Sequence, residues 1–396
     1  MERRHDLDWV RVCAFGLLVL FHVGMYYVSW DWHIKSPHAG TGAEPFMLLT
    51  SPWRLSLLFL VSGVASAFLL QKMPKGFLGS RSWRLLLPLA FGMIVVVPPQ
   101  AYFELLDSGY PGGYHDGYLA FWGRYMAADG SFCDDDGCLI VPTWNHLWFV
   151  AYLWVYTLAL WLLARFAPKW LEAAGGRLSM ALSGPGALLW PILFFAAVRV
   201  VLIGRFEPTH ALIDDWYNHV QYFGIFLLGF LVARAEGVWE AIQRQRWPAF
   251  ALWLGSWLAT VAYFDHYVET TPPEWMRLAM RGAWGLNQWC AIVAVLGFAR
   301  RWSPGDSRLL RYLVPAVFPV YILHQTLIVL LAWNFRPLRL APAIEGPVLV
   351  VLTFALCFAA YELVRRVRLL RPLFGLKGTP REAVLPGPGV TRQPAG

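Results

Sequence analysis

An all-α, polytopic membrane protein with about ten transmembrane helices and both termini cytoplasmic is the fold this sequence predicts. Three observations carry that reading. The chain of 396 residues is 58% hydrophobic and only 15% charged, against roughly a quarter charged residues in an ordinary soluble domain. Its mean hydropathy is positive, at +0.47. Its apolar residues also fall in runs long enough to cross a hydrocarbon core of ~30 Å. Together these exclude a soluble enzyme, a coiled coil and a disordered chain.

The apolar runs lie near 10–28, 51–70, 84–101, 146–165, 187–204, 217–233, 248–265, 282–299, 313–333 and 346–364. The first has a basic start but is too long for a signal-peptide core and is followed by no small-residue cleavage site, so it reads as a membrane helix. Orientation follows from Lys and Arg, which short cytoplasmic segments retain. On the amino-terminal side fall 24 of the 33, and both ends are placed there. The net charge of +8 is punctuation between spans and forms no basic stripe, so nucleic acid is not expected as a partner. Acidic residues Glu104, Asp107, Asp116, Asp129, Asp134, Asp135 and Asp136 collect in the third-to-fourth connection, expected outside as the only sizeable extramembrane piece. The membrane domain is read as 1–375, and 376–396, rich in Pro and Gly, as a disordered cytoplasmic tail.

Five cysteines are too few for a disulfide framework, and no CxxC or HExxH pattern calls for a metal. Cys133 and Cys138 are spaced to close a small ring in an oxidising compartment; free thiols or a weak metal site are the alternatives.

Ionisable side chains inside a span are costly and therefore candidates for function. Arg11 and His22 are eleven residues apart, which at 100° per residue returns to one helix face. The rise separates them by about 16 Å, with Arg11 near the inner surface and His22 at or beyond mid-membrane. Asp8 can pair with Arg11, and a packing histidine bonded across a helix interface would look the same. Arg81 and Arg84, at i and i+3 ahead of the third span, present two guanidiniums on one side, suited to phosphates, although anionic lipid or topology would also use them. His324 lies some eleven residues into the ninth span, at a depth close to that of His22. His146 opens the fourth span at the outer interface, where an outer cavity could receive it. Glu207, His210, Asp214, Asp215 and His219 form a titratable outer segment that fits either a polar ligand or a solvated loop.

At these residues the sequence resembles the integral-membrane acyltransferase 3 family. The likeness rests on Asp8-Trp-Val-Arg11 with His22, Phe59-Leu-Val-Ser62-Gly63, Arg81-x-x-Arg84 with Pro88 and Gly92, His146-Leu-Trp148-Phe149, and Tyr321-Ile-Leu-His324, in the family's order. Asp31-Trp32-His33 and Pro372-Leu-Phe-Gly375 resemble its glucan biosynthesis protein C branch, associated with succinylating periplasmic glucans, in which no esterase-like domain follows the helices. The resemblance implies an O-acyltransferase of the cell inner membrane. It would carry a succinyl or acetyl group from cytoplasmic acyl-CoA to a hydroxyl of a periplasmic or cell-surface glycan, with no tightly bound cofactor. It also implies His22 and Arg11 as the catalytic pair, and Arg81 and Arg84 as donor-side residues. His324 is grouped with the catalytic residues, and His146, Asp31 and His33 are expected on the acceptor side. A histidine can take the proton of an attacking hydroxyl, and no GxSxG elbow points to an acyl-enzyme. The competing class, a transporter or flippase, would use the same midplane groups, but no pair of related halves is seen.

Overall fold

The computed structural model describes residues 3–108, 110, 113–134 and 137–378, and these form a helical bundle. The only strands among them are the two-residue antiparallel pair Cys133–Asp134 and Gly137–Cys138. Seven helical segments are long and apolar enough to cross a membrane: His5–Met25, Thr41–Lys72, Phe77–Asp107, Asn145–Phe166, Glu274–Trp302, Arg308–Leu338 and Pro342–Arg366. The pair Pro168–Leu182 and Gly186–Leu202, bent by 113°, makes an eighth candidate.

Each of the ten expected apolar runs coincides with a helix, but two of those helices, Trp216–Leu231 and Arg246–His266, do not pass as spans by length and apolarity. The former has 16 residues and buries Asn218 and Gln221. Other helices come from segments expected to be connections, among them Pro168–Leu182 and Glu236–Arg244. The latter buries Val238, Trp239, Ala241 and Ile242 on one side, the stripe of an amphipathic helix too short to be a membrane run.

The acidic connection also differs from expectation. Glu104 and Asp107 belong to the helix Pro98–Asp107, a continuation of the third span through a π-helical turn at Gly92–Val96. Beyond it, Tyr114, Phe121, Tyr125 and Phe132 form a small core around the helix Gly117–Met126, so this piece is a packed cap. Arg124 bonds Asp129 at 2.6 Å and holds its carboxyl down to about 2. Cys133 and Cys138 are joined by a disulfide; Asp135 and Asp136 lie outside the described residues, as does the expected tail from residue 379 onward.

Two close approaches hold the site-bearing helices. Arg54–Lys72 packs along Trp216–Leu231, and a Cβ at Gly63 would overlap the Phe226 carbonyl oxygen while one at Gly229 would overlap the Leu60 carbonyl. Small residues let helix backbones meet in a medium that gives no hydrophobic drive to association, which accounts for glycine in Phe59-Leu-Val-Ser62-Gly63. At the carboxyl end Gly375 adopts φ +68°, and the turn seats buried Phe374 against Phe91 at 5.3 Å, docking the short helix Leu370–Leu373 on Phe77–Phe91.

Because backbone is the obstacle, Gly63→Ala and Gly229→Ala should each destabilise the bundle by about 1–3 kcal/mol, the range for overpacking. Thermal midpoints in detergent check this; midpoints equal to the parent's would mean that the helices part without cost.

Candidate active site

The helix His5–Met25 runs parallel to Arg308–Phe335 and touches it at two levels. Near the amino-terminal side Arg11 Nη2 donates to the Val314 carbonyl at 3.4 Å, and deeper in the bundle His22 Nδ1 lies 2.7 Å from His324 Nε2. The two imidazoles thus share one depth. Their rings stack with centroids 4.9 Å apart. Pro315 and Pro319 lie in the turns of the second helix between the two contacts, where each removes a backbone donor and loosens the ladder.

Backbone carbonyls set the hydrogen-bond directions. His324 Nδ1 is 2.7 Å from the Tyr321 carbonyl, which can only accept, so this nitrogen carries the proton. In the neutral ring Nε2 is then an acceptor, and His22 Nδ1–H must donate to it. His22 Nε2 is left with its lone pair and makes no hydrogen bond to any described residue. A proton taken at Nε2 would leave a charge-assisted Nδ1–H bond to His324, a class worth about 1.5–3 kcal/mol. His324 is fully buried and His22 partly exposed.

Behind this pair lies a polar network whose directions are fixed the same way. His146 Nε2 donates to the Ile322 carbonyl at 3.0 Å, leaving Nδ1 to accept from Gln100 Nε2 at 3.3 Å. Gln100 Nε2 also donates to Thr326 Oγ1, which donates onward to the Val96 carbonyl. Gln100 Oε1 therefore faces donors, from Asn145 Nδ2 and Gln325 Nε2, each at 3.1 Å. Gln325 Nε2 in turn donates to His33 Nε2 at 2.7 Å, and His33 Nδ1 bonds Glu104. Four histidines thus stand in one cluster. One end of this path is His33 with Glu104, the carboxylate being about a third exposed (32%). No group of three or more His, Cys, Asp or Glu able to hold a metal ion occurs among the described residues.

On the amino-terminal side a cavity of about 260 Å³ is lined by Arg11, Arg81 and Arg84, with Ser62, Phe15 and Phe318 toward its inner end. Arg11, Ala65 and Leu69 also line a second cavity of about 690 Å³, whose rim carries Arg3, Arg4 and Lys72. Arg81 Nη2 donates to Ser66 Oγ at 3.1 Å; its Nε and the Nε of Arg11 are buried without partners. Asp8 lies 3.9 Å from Arg11 but is bonded to Arg3 at 2.7 Å, so the expected Asp8–Arg11 pair is shared. Three guanidiniums around one small cavity with a single, shared carboxylate suit a polyanion.

The structure thus brings His22, His324, His146 and His33 together, and Arg11, Arg81 and Arg84 together. His146 sits deeper than the outer mouth at which it was expected. His146 is 7% exposed and lies edge-on to His324 at 5.1 Å, because the span opens with a 3₁₀ turn, Asn145–Leu147, that points it inward. Asp31 is exposed on the loop after the first helix. It supports Lys35, whose ammonium reaches the carbonyls of Met25 and Val28 at 3.0 Å; burial pushes that lysine below its usual range, against the opposing charges of Asp31 and Glu44. The sequence reading missed Gln100, Asn145, Gln325 and Thr326. The available signal was amide and hydroxyl side chains inside apolar runs, as in Val97-Pro-Pro-Gln100 and His324-Gln-Thr326.

Comparison with known proteins adds the chemistry. The family model for the acyltransferase domain of the acyltransferase 3 type matches residues 4–362, and the chain belongs to that family. Among its relatives is a glucans biosynthesis protein C of Escherichia coli O6:K15:H31 (strain 536 / UPEC), 23% identical over 393 residues and 95% of each chain. The protein of the same name from Escherichia coli K12 is 22% identical over 387 residues, again 95% of each chain. No solved structure matches.

His324 holds His22 in one tautomer without touching reacting atoms in this arrangement, so His324→Ala should lower kcat for acyl transfer about 10²-fold, the low end of general-base contributions, with little change in KM. His324→Gln, whose Oε1 can accept from His22 Nδ1–H, should recover part of that loss. Equal kcat for parent and His324→Ala would remove the positioning role.

Proposed function

We propose that this chain is an O-acyltransferase of the cell inner (plasma) membrane, with about ten crossings and both termini cytoplasmic. It takes a succinyl or acetyl group from cytoplasmic acyl-CoA and transfers it to a hydroxyl of a periplasmic or cell-surface glycan. The observation that supports this most directly is the pairing of His22 with His324 at the depth toward which the arginine-lined cavity leads. The name of the relatives, glucans biosynthesis protein C, supports a glycan acceptor. The disulfide in the cap fits an oxidising outer compartment.

In this reading Arg11, Arg81 and Arg84 hold the donor's phosphates, and its thioester arm passes between Phe15 and Phe318 toward His22. Phe15 lies seven residues before His22, on the same face and about 10 Å away along the axis, so these rings must part for the arm to arrive. The acceptor enters from the side of His33 and Glu104. His22 Nε2 takes the hydroxyl proton as the oxygen attacks the thioester carbon. The tetrahedral intermediate collapses with loss of the C–S bond, and the imidazolium returns the proton to the departing thiolate, giving ester and free CoA. The bond to His324 stabilises His22 while it carries the charge.

The test is transfer from radiolabelled succinyl-CoA or acetyl-CoA sealed on the amino-terminal side of vesicles to glucan oligosaccharide supplied on the other. Label should reach the glucan in this arrangement alone. His22→Ala should abolish it with insertion unchanged, and more than half the parent's activity in that variant would remove the base. Arg81→Lys and Arg84→Lys keep the charge but lose the fork; each should raise the donor concentration needed several-fold, and unchanged titrations would reduce these residues to topological anchors.

A further inference from the structure

Arg54 begins the helix Arg54–Lys72 on the side opposite the arginine cavity and is 6% exposed. Its Nε and Nη1 are buried without partners, and no acidic side chain pairs with it among the described residues. The guanidinium carbon instead lies 3.2 Å from the ring centroid of Phe21, the residue before His22, whose own ring is 5.8 Å from that of Phe21. Tyr222 is a polar side chain close enough to interact with it, while on the same helix Ser56 is taken up by Gln288 Nε2, which donates to its Oγ at 2.7 Å and to Gln221 Oε1 at 3.1 Å.

A buried cation without a counter-charge is costly. A positive charge in the first turn of a helix adds to the cost, because that end of the helix dipole is itself positive. The face of Phe21 offsets only part of this. The position therefore suits an anion brought by a ligand, and its direction from His22 says which end of the ligand. Arg11, Arg81 and Arg84 lie on the amino-terminal side of His22, and Arg54 beside the carboxyl-terminal part of the first helix. A donor that enters past the three arginines and lays its thioester at His22 extends only its acyl chain toward Arg54.

We propose that Arg54 is the residue that selects the acyl group, by receiving a carboxylate at the far end of a short dicarboxylic acyl chain. This rests on the reading of the chain as an acyl-CoA-dependent acyltransferase and adds the residue that discriminates between the acyl groups. A guanidinium–carboxylate contact in a buried setting discriminates against an uncharged chain of equal length by about ten- to a hundredfold.

The test is calorimetric titration of the full chain in nanodiscs with succinyl-CoA, with butyryl-CoA, which replaces the carboxylate by a methyl group, and with CoA. The parent should bind succinyl-CoA at least tenfold more tightly than butyryl-CoA. Arg54→Met should erase that difference while leaving CoA affinity unchanged, and its thermal midpoint should be no lower than the parent's, since an unpaired buried charge is removed. Arg54→Gln, uncharged but polar, carries the same comparison if the Met variant does not insert. Equal affinity of the parent for the two thioesters, or an equal loss of both in the variants, overturns the selecting role alone; the latter would instead place the arginine at the thioester oxygen. A parent that binds neither thioester nor CoA overturns the donor reading and this proposal with it.

Discussion

The 2.7 Å bond from His22 Nδ1–H to His324 Nε2 organises much of this molecule. Within a bilayer a polar side chain has no water to fall back on and must find its partner in the protein. Here the search ends at main-chain oxygens: Tyr321 fixes the proton of His324, Ile322 that of His146, and Val96 that of Thr326. Each carbonyl belongs to a helix, so helix positions determine tautomers, and the tautomers determine that His22 Nε2 carries a free lone pair. The same network joins the Pro98–Asp107 helix to Arg308–Phe335 through Gln100, Gln325 and Thr326, so that packing and poise of the base are one arrangement.

Charge is divided along the bundle as the polar groups are. The arginines on the amino-terminal side surround space, whereas the histidines at depth surround one another. An open cluster of guanidiniums can capture a polyanion and release it, and a closed set of imidazoles can hold one ring in register. Phe15, edge-on to Tyr321 at 5.3 Å, stands between the two. In the proposed reaction this aromatic partition separates the arginine-lined cavity from His22 until a donor arm displaces it, a reason for large rings at positions where smaller apolar residues would also satisfy lipid.

Much of this was legible in the sequence, for identifiable reasons. Apolar runs mark helices because spans need length, and the eleven-residue step from Arg11 to His22 marks a face because helical geometry is regular. The pairing of His22 with His324 spans 302 residues and no local pattern encodes it; equal depth could be inferred, contact could not. His146 was expected to face an outer cavity because it opens the fourth span at the outer interface, but the 3₁₀ turn Asn145–Leu147 buries it. The helices Pro168–Leu182 and Glu236–Arg244 escaped because their polar residues match those of a cytoplasmic connection, and Arg54 because a charge at the end of an apolar run resembles an interfacial anchor.

The central claim is a specific protonation pattern: a neutral His22 with its proton on Nδ1 and its lone pair on Nε2, held there by His324. Nitrogen-15 spectra of the histidine-labelled protein in lipid, with His22 assigned from the resonance lost in His22→Gln, read this directly. The account predicts at neutral pH one protonated and one unprotonated nitrogen for His22, with Nδ1 the protonated one and a through-hydrogen-bond coupling to His324 Nε2. A His22 found as the Nε2–H tautomer, or as an imidazolium at rest, would contradict it.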